Sequence, residues 1–182
     1  MKWILRIFGV LAGVLLLAVL VLAVMSRRAE AGHYTSSIEI NATAEQIWPW
    51  LGDGEKAKQW VSWLVEVRRT GTGRNAVGDK EVWVMKDPNM NDMLIPVEGT
   101  CTEYVRPSRL SVKLESQGFA GDQTYVLTPA GAGGTRLSVD SHFKFQGWFP
   151  QLMEPVIAPA VRKKMRADLA RLKAVVEALP TS

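Results

Sequence analysis

Few side chains in this sequence are spaced to do chemistry, and those few lie in strand-like stretches. Asp140 and His142 are two residues apart, so on an extended strand they point to one side and could act as an acid/base pair. That side is opposite Val139 and Phe143, and an alternating strand buries its apolar side. The pair is therefore expected on the wet face. Glu66, Glu98 and Glu103 sit in other strand-like stretches and pose the same question. An enzyme handling a ketone-like chain would need one of these groups turned into an interior cavity. Cys101 is the only cysteine, so it can form no internal disulfide, and a small apolar filler is expected there rather than a nucleophile. The two histidines, His33 and His142, are far apart in sequence. No metal-ligand spacing, phosphate loop or nucleophile elbow is present. The sequence thus predicts no catalytic residue, no metal and no cofactor.

What the chain does carry is bulk. Trp48, Trp50, Trp60, Trp63, Trp83 and Trp148 lie beyond the apolar start, and Met85, Met90, Met93, Met153 and Met165 add adaptable apolar surface. Large apolar walls serve a ligand cavity, and ordinary core packing gives the same pattern. Trp63, Trp83, Tyr125, Phe143, Met165 and Leu169 are expected to include cavity-lining positions.

The elements that must position these residues follow from periodicity. Over residues 160–179, Val161, Met165, Leu169, Leu172, Val176 and Leu179 recur at three and four and form one apolar stripe. Pro159 can start this helix and Pro180 ends it, with residues 147–158 a Pro-rich approach. Strands are predicted over 36–42, 60–70, 80–86, 94–105, 109–115, 123–128 and 135–146, with a bend in the fourth at Pro96 or Gly99. In the second, Val61, Trp63, Val65 and Val67 should share a face. Turns fall at Gly71-Thr72-Gly73 and at Asp87-Pro88-Asn89. Thr43 and Gln46 have capping-box spacing for a short helix containing Trp48 and Trp50, and a helical turn follows over 55–59. The class is α+β: an antiparallel sheet with one face covered by the long helix.

The chain has 182 residues, of which 22% are charged, with a net charge of +4. Residues 35–180 make one globular domain, joined by a linker at 29–34 to an apolar segment at 1–28. Residues 7–25 are uncharged, and as a helix at ~1.5 Å per residue they match a ~30 Å hydrocarbon layer. Ala29-Glu30-Ala31 has the form of a signal-peptidase site, but the run is long for a signal peptide, so an uncleaved single-pass anchor is expected. Flanking charges nearly balance; the short basic tail before the segment favours an extracytoplasmic domain. Gly9 and Gly13 would let two such helices approach as a homodimer, although lipid packing alone accounts for them. The basic excess is concentrated on the last helix, as a solvated face or one meeting anionic headgroups. No nucleic-acid-reading motif accompanies it.

The stretch IEINATAEQIWPWLGDGEKAKQWVSWLVEV, with Ile38 to Ala42 on a strand, Ala44, Glu45 and Trp48 on the short helix, Trp60 beyond it and Gly78 opening a later strand, resembles the SRPBCC superfamily: START domains, birch-pollen-allergen-like proteins and bacterial polyketide cyclase/dehydrase-like proteins. The resemblance implies a helix-grip fold, a seven-stranded curved sheet wrapping the C-terminal helix around an apolar cavity. It further implies a hydrophobic small molecule (lipid, quinone or polyketide-like) as ligand. Two alternatives stand beside that binding module: a cyclase/dehydrase-like enzyme, and a protein-interaction module without ligand.

Overall fold

A computed structural model of the chain describes residues 2–28, 31–70, 76–88 and 92–179, with the side chains of Leu5 and Ala132 set aside. Ala29-Glu30, the Gly71-Thr72-Gly73 turn, Asn89, Met90 and Pro180 lie outside the described residues. The first element, α1 (Lys2–Ser26), is an apolar helix of 25 residues, long enough at about 37 Å to cross a bilayer.

The domain begins with β1 (His33–Ile40), whose residues alternate outward and inward up to Ile40. Thr43 then caps α2 (Ala44–Gly52): its hydroxyl accepts from Gln46 N at 3.3 Å, and the Gln46 side chain accepts from Thr43 N at 2.9 Å. Asp53 caps the single turn α3 (Gly54–Ala57). Six strands follow: β2 (Leu64–Arg69), β3 (Lys80–Asp87), β4 (Met93–Val105), β5 (Arg109–Glu115), β6 (Phe119–Pro129) and β7 (Thr135–Phe145). The last element is α4 (Trp148–Glu177). The seven strands form one antiparallel sheet in the order β1-β7-β6-β5-β4-β3-β2. Consecutive strands are neighbours throughout, except that β1 closes onto β7. This is the helix-grip arrangement, with Ile40, Leu110, Leu127, Leu137 and Val139 from the sheet packed with Leu169, Leu172 and Val176 from α4.

Strand ends shift by a few residues, as at β1 (33 against 36) and β6 (119 against 123), and three larger differences from the sequence reading stand out. First, α4 starts at Trp148, about three turns before Pro159. Pro155 and Pro159 lie inside it and leave the carbonyls of Gln151 and Pro155 without their usual helical donors. Packing against α1 and β1 maintains the helix through both prolines. At the other end the helix stops at Glu177, so Leu179 falls past the stripe and is exposed. Second, β2 is shorter than 60–70. Trp60 and Val61 donate to Ala57 O in a tight turn, and Trp63 takes a left-handed backbone at φ 74°. A bulge between Leu64 and Glu66 then inserts one residue, so Leu64 and Val67 face the core while Val65 is exposed. Val61, Trp63, Val65 and Val67 therefore do not share a face. Third, the irregularity in β4 falls between Cys101 and Glu103; Pro96 stays in register opposite Val84.

Candidate functional site

α4 packs mainly on β1 and β7, and α2 packs on β6. The inner faces of β2 to β5 are covered less fully. Val67, Trp83, Met85, Cys101, Tyr104 and Val112 line them; all are half-buried and lie against the closed core. This half-covered apolar stretch of the inner face, a trough only in the sense that the sheet is its floor, adjoins the closed core. The two indoles nearest it have their N–H groups satisfied: Trp83 donates to Glu81 at 3.0 Å and Trp48 to the Tyr104 hydroxyl at 2.9 Å.

A short polar row lies farther along the inner face, on β1, β7 and β6. Strand register sets Tyr34 of β1 opposite Ser141 of β7, and Ser141 opposite Gln123 of β6. Ser141 is fully buried and its hydroxyl has no partner among the described residues. A buried hydroxyl left open in this way is suited to a water or a ligand polar group. Gln123 donates to the Tyr125 hydroxyl, and burial pushes the Tyr125 phenol above its ordinary range. Tyr34, equally buried, donates to Glu154 Oε1 at 3.2 Å; burial first and then the Glu154 charge raise its phenol.

Glu154 is the centre of a second arrangement. It is 2% exposed and accepts from Tyr34, from Gly32 N at 3.2 Å and from Arg28 at 3.2 Å. Gly32 has φ +77°, and a Cβ there would sit 1.9 Å from Phe143 O, so only glycine fits. The last turns of α1 lie beside this point, with Leu22, Ala23 and Ser26 half-buried against α4. Trp148 (77%), Phe149 (56%) and Val156 (53%) are exposed on the first turns of α4. The other buried carboxylate, Asp168, accepts from Ser62 N and Oγ, Lys164 and Arg171, and so fixes the turn that leads into Trp63.

Of the six residues singled out as cavity candidates, Trp83, Tyr125, Met165 and Leu169 come together in one cluster. Trp63 lies apart, its ring 5.0 Å from Lys164 Nζ, and Phe143 packs near the other end of the sheet against Phe119 and Tyr34. The strand carboxylates point away from the trough. Glu66 pairs with Arg68, Glu98 with Lys80, and Glu103 with Arg109 and Ser111. Their side chains, and those of Asp140 and His142, are 40–62% exposed. Cys101 faces inward and burial raises its thiol. Sequence reasoning passed over Glu154, because the segment around it did not read as helix. It also passed over Tyr34, Ser141 and Gln123, although alternation with Val139 and Phe143 places Ser141 inward. Only the β1–β7 pairing could set His33 opposite His142.

A family model described as polyketide cyclase / dehydrase and lipid transport matches residues 31–177. A sequence comparison with curated proteins gave no significant match. Among solved structures, a conserved protein from Geobacillus kaustophilus superposes with a TM-score of 0.66 at 12% identity, covering 79% of this chain and 94% of its own. A protein from Thermus thermophilus gives 0.66 at 16% identity, covering 82% and 99%. One from Rhodobacter sphaeroides gives 0.62 at 20%, covering 82% and 95%. At these identities the likeness speaks to fold alone.

Proposed function

Because the chain belongs to the polyketide cyclase / dehydrase and lipid transport family, within the SRPBCC superfamily whose helix-grip fold it shares, we propose that it is a membrane-tethered module holding a hydrophobic small molecule in the trough. The observation that carries this is the composition of the inner face. It is apolar apart from a short polar row, and that row contains Ser141, one of two buried hydroxyls without a partner among the described residues, the other being Ser116. An apolar face of that kind would suit a mostly apolar ligand with one polar end, such as a lipid or quinone. Trp83, Tyr125, Met165 and Leu169 are proposed as lining residues, with Trp63 and Phe143 at the margins. The strand carboxylates and His142, the groups best suited to proton transfer, face water, which favours binding over catalysis.

The tether is read from α1. Its length and composition fit a span, its end packs on α4, and the first turns of α4 expose Trp148 and Phe149. Tryptophan and phenylalanine exposed at that level suit a headgroup boundary. The domain is placed on the extracytoplasmic side, in line with the basic residues Lys2 and Arg6 before the span.

Native mass spectrometry of the full chain released from detergent tests the reading. An adduct that dissociates as a lipid or quinone is expected. A bare mass, unchanged after incubation with lipid and quinone extracts, would overturn it. A bare chain that turned over a polyketide-like substrate would instead establish the cyclase reading, with Tyr34 and Glu154 as a buried acid and carboxylate in contact.

A further inference from the structure

We propose that His33, Asp140 and His142 form a transition-metal site on the outer face of the sheet, with zinc as the ion that fits best. Both histidines of the chain meet here. Strand register sets His33 of β1 directly opposite His142 of β7, and Asp140 is two residues along on the same face. The imidazole rings stack with centroids 4.0 Å apart and planes 15° apart. Both present Nε2 to a single carboxylate oxygen, Asp140 Oδ1, at 2.8 Å from His33 and 3.2 Å from His142. One donor atom from each of the three residues lies within 4.8 Å of the others.

The two Nε2–Oδ1 spacings match those of a coordination sphere, and the stacked rings must rotate to bring both Nε2 lone pairs onto one ion. In a tetrahedral site with zinc–donor bonds of ~2.0–2.1 Å, neighbouring donors are about 3.3 Å apart. An ordinary hydrogen-bonded cluster explains the contacts less economically. It would require both imidazoles to carry their proton on Nε2, to share one oxygen, and to hold stacked rings on a strand face where water could serve each. A cation shared by all three groups once the rings have rotated removes that competition. Two imidazoles and a carboxylate suit zinc and its neighbours in the first transition row, not calcium or magnesium.

The frame is rigid where it matters. Phe143 N donates to Gly32 O at 2.8 Å, so the backbone on either side of the histidine pair is tied. Beyond the cluster, the same outer face carries Thr35, Ser37 and Ser138, small hydroxyl side chains lining a shallow groove that ends at Asp140. With three protein donors, the fourth position of a tetrahedral ion would go to water or to a small anionic ligand. Three protein donors with one open position make an exchangeable site, as opposed to a closed structural one. Its location gives it a role. It would clip the first ordered residue of β1 to the last strand, just after the chain leaves the membrane-side helix.

The test uses the full chain without an affinity tag, in detergent, titrated with zinc chloride by calorimetry and with cobalt(II) by absorption. One equivalent is expected to bind. His33→Asn, Asp140→Asn and His142→Asn are each expected to weaken binding at least about tenfold, and zinc is expected to raise the melting temperature of the wild type but not of a His33→Asn/His142→Asn double variant. Cobalt should give visible bands that zinc displaces. His142 is 62% exposed and a circular dichroism spectrum verifies that the variants fold, so lost binding reports on ligands and not on unfolding. No binding by the wild type, or binding that the three substitutions leave unchanged, would overturn the assignment. The site is on the opposite face of the sheet from the trough, so either outcome leaves the ligand reading untouched.

Discussion

Replacing Glu154 should cost far more than its single formal charge suggests, and the cost should depend on Tyr34. In Glu154→Ala, the half-exposed Arg28 turns to water. The Tyr34 hydroxyl, fully buried, and the Gly32 N–H, also buried, lose their acceptor and cannot reach water. Each stranded buried donor costs ~1–3 kcal/mol, so we expect a loss of about 4 kcal/mol from the two together. Tyr34→Phe alone removes one hydrogen bond to the carboxylate but leaves it Arg28 and Gly32, and should cost about 1.5 kcal/mol. In the double variant no hydroxyl is stranded, so its loss should fall short of the sum by roughly 1–3 kcal/mol. Thermal unfolding of the detergent-solubilised chain reads this out. At ~2–4 °C per kcal/mol for a chain of this size, Glu154→Ala should melt roughly 8–16 °C lower. Additive single effects, within about 0.5 kcal/mol, would refute the direct buried contact and with it the idea that one carboxylate organises the junction of α1, β1 and α4.

Other expectations follow from the same geometry. Cys101 is the only thiol and faces the trough, so iodoacetamide should label it slowly at pH 8, faster as pH rises, and more slowly still when a hydrophobic ligand is bound; equal rates with and without a bound ligand would place the ligand elsewhere. Lys173 foremost, and then the Asn41 N–H, hold the Glu177 carboxyl below its ordinary 4.5, a depressed pKa whose stabilisation is complete above that value and lost as pH falls through the folded one. Glu177→Gln should thus be less stable than wild type at neutral pH, and the gap should close on acidification below about pH 4.5 in paired melting curves. Trp148→Ala/Phe149→Ala, in a chain beginning at residue 31, should weaken co-sedimentation with vesicles at least about tenfold, since each exposed ring offers ~1.5–3 kcal/mol on full burial; unchanged sedimentation would take this face off the bilayer.

Alternation made most of the sheet legible. Leu110, Val112 and Leu114 on β5, and Leu137, Val139 and Phe143 on β7, gave the strands, their parity and the outward position of Asp140 and His142. The C-terminal half of α4 was equally plain, because Leu169, Leu172 and Val176 repeat cleanly and are buried. Its N-terminal half was hidden by Pro155 and Pro159, which read as breakers when neighbouring elements are unseen. The β2 bulge was hidden for another reason. One inserted residue leaves composition untouched while reversing which side chains face inward, so Val65 looked like core and is not. Glu154 and the His33–His142 pair depend on contacts between distant segments, and no local pattern carries those.

The closure of β1 onto β7 has a consequence for how the chain is made. Strands β3 to β7 each pair with the strand synthesised just before them, and β2 with the one made just after it, but β1 must wait for a partner made roughly a hundred residues later. At ~5–20 residues per second that wait is on the order of 5–20 s. Throughout it, the first strand, with the inward Ile38 and Ile40, has an open edge and no sheet to cover it, which is the condition that invites pairing with the wrong chain. If α1 is already in the bilayer at that stage, it holds this strand beside the membrane surface and away from other nascent copies. The apolar helix would then act first as a chaperone in cis for the strand that follows it.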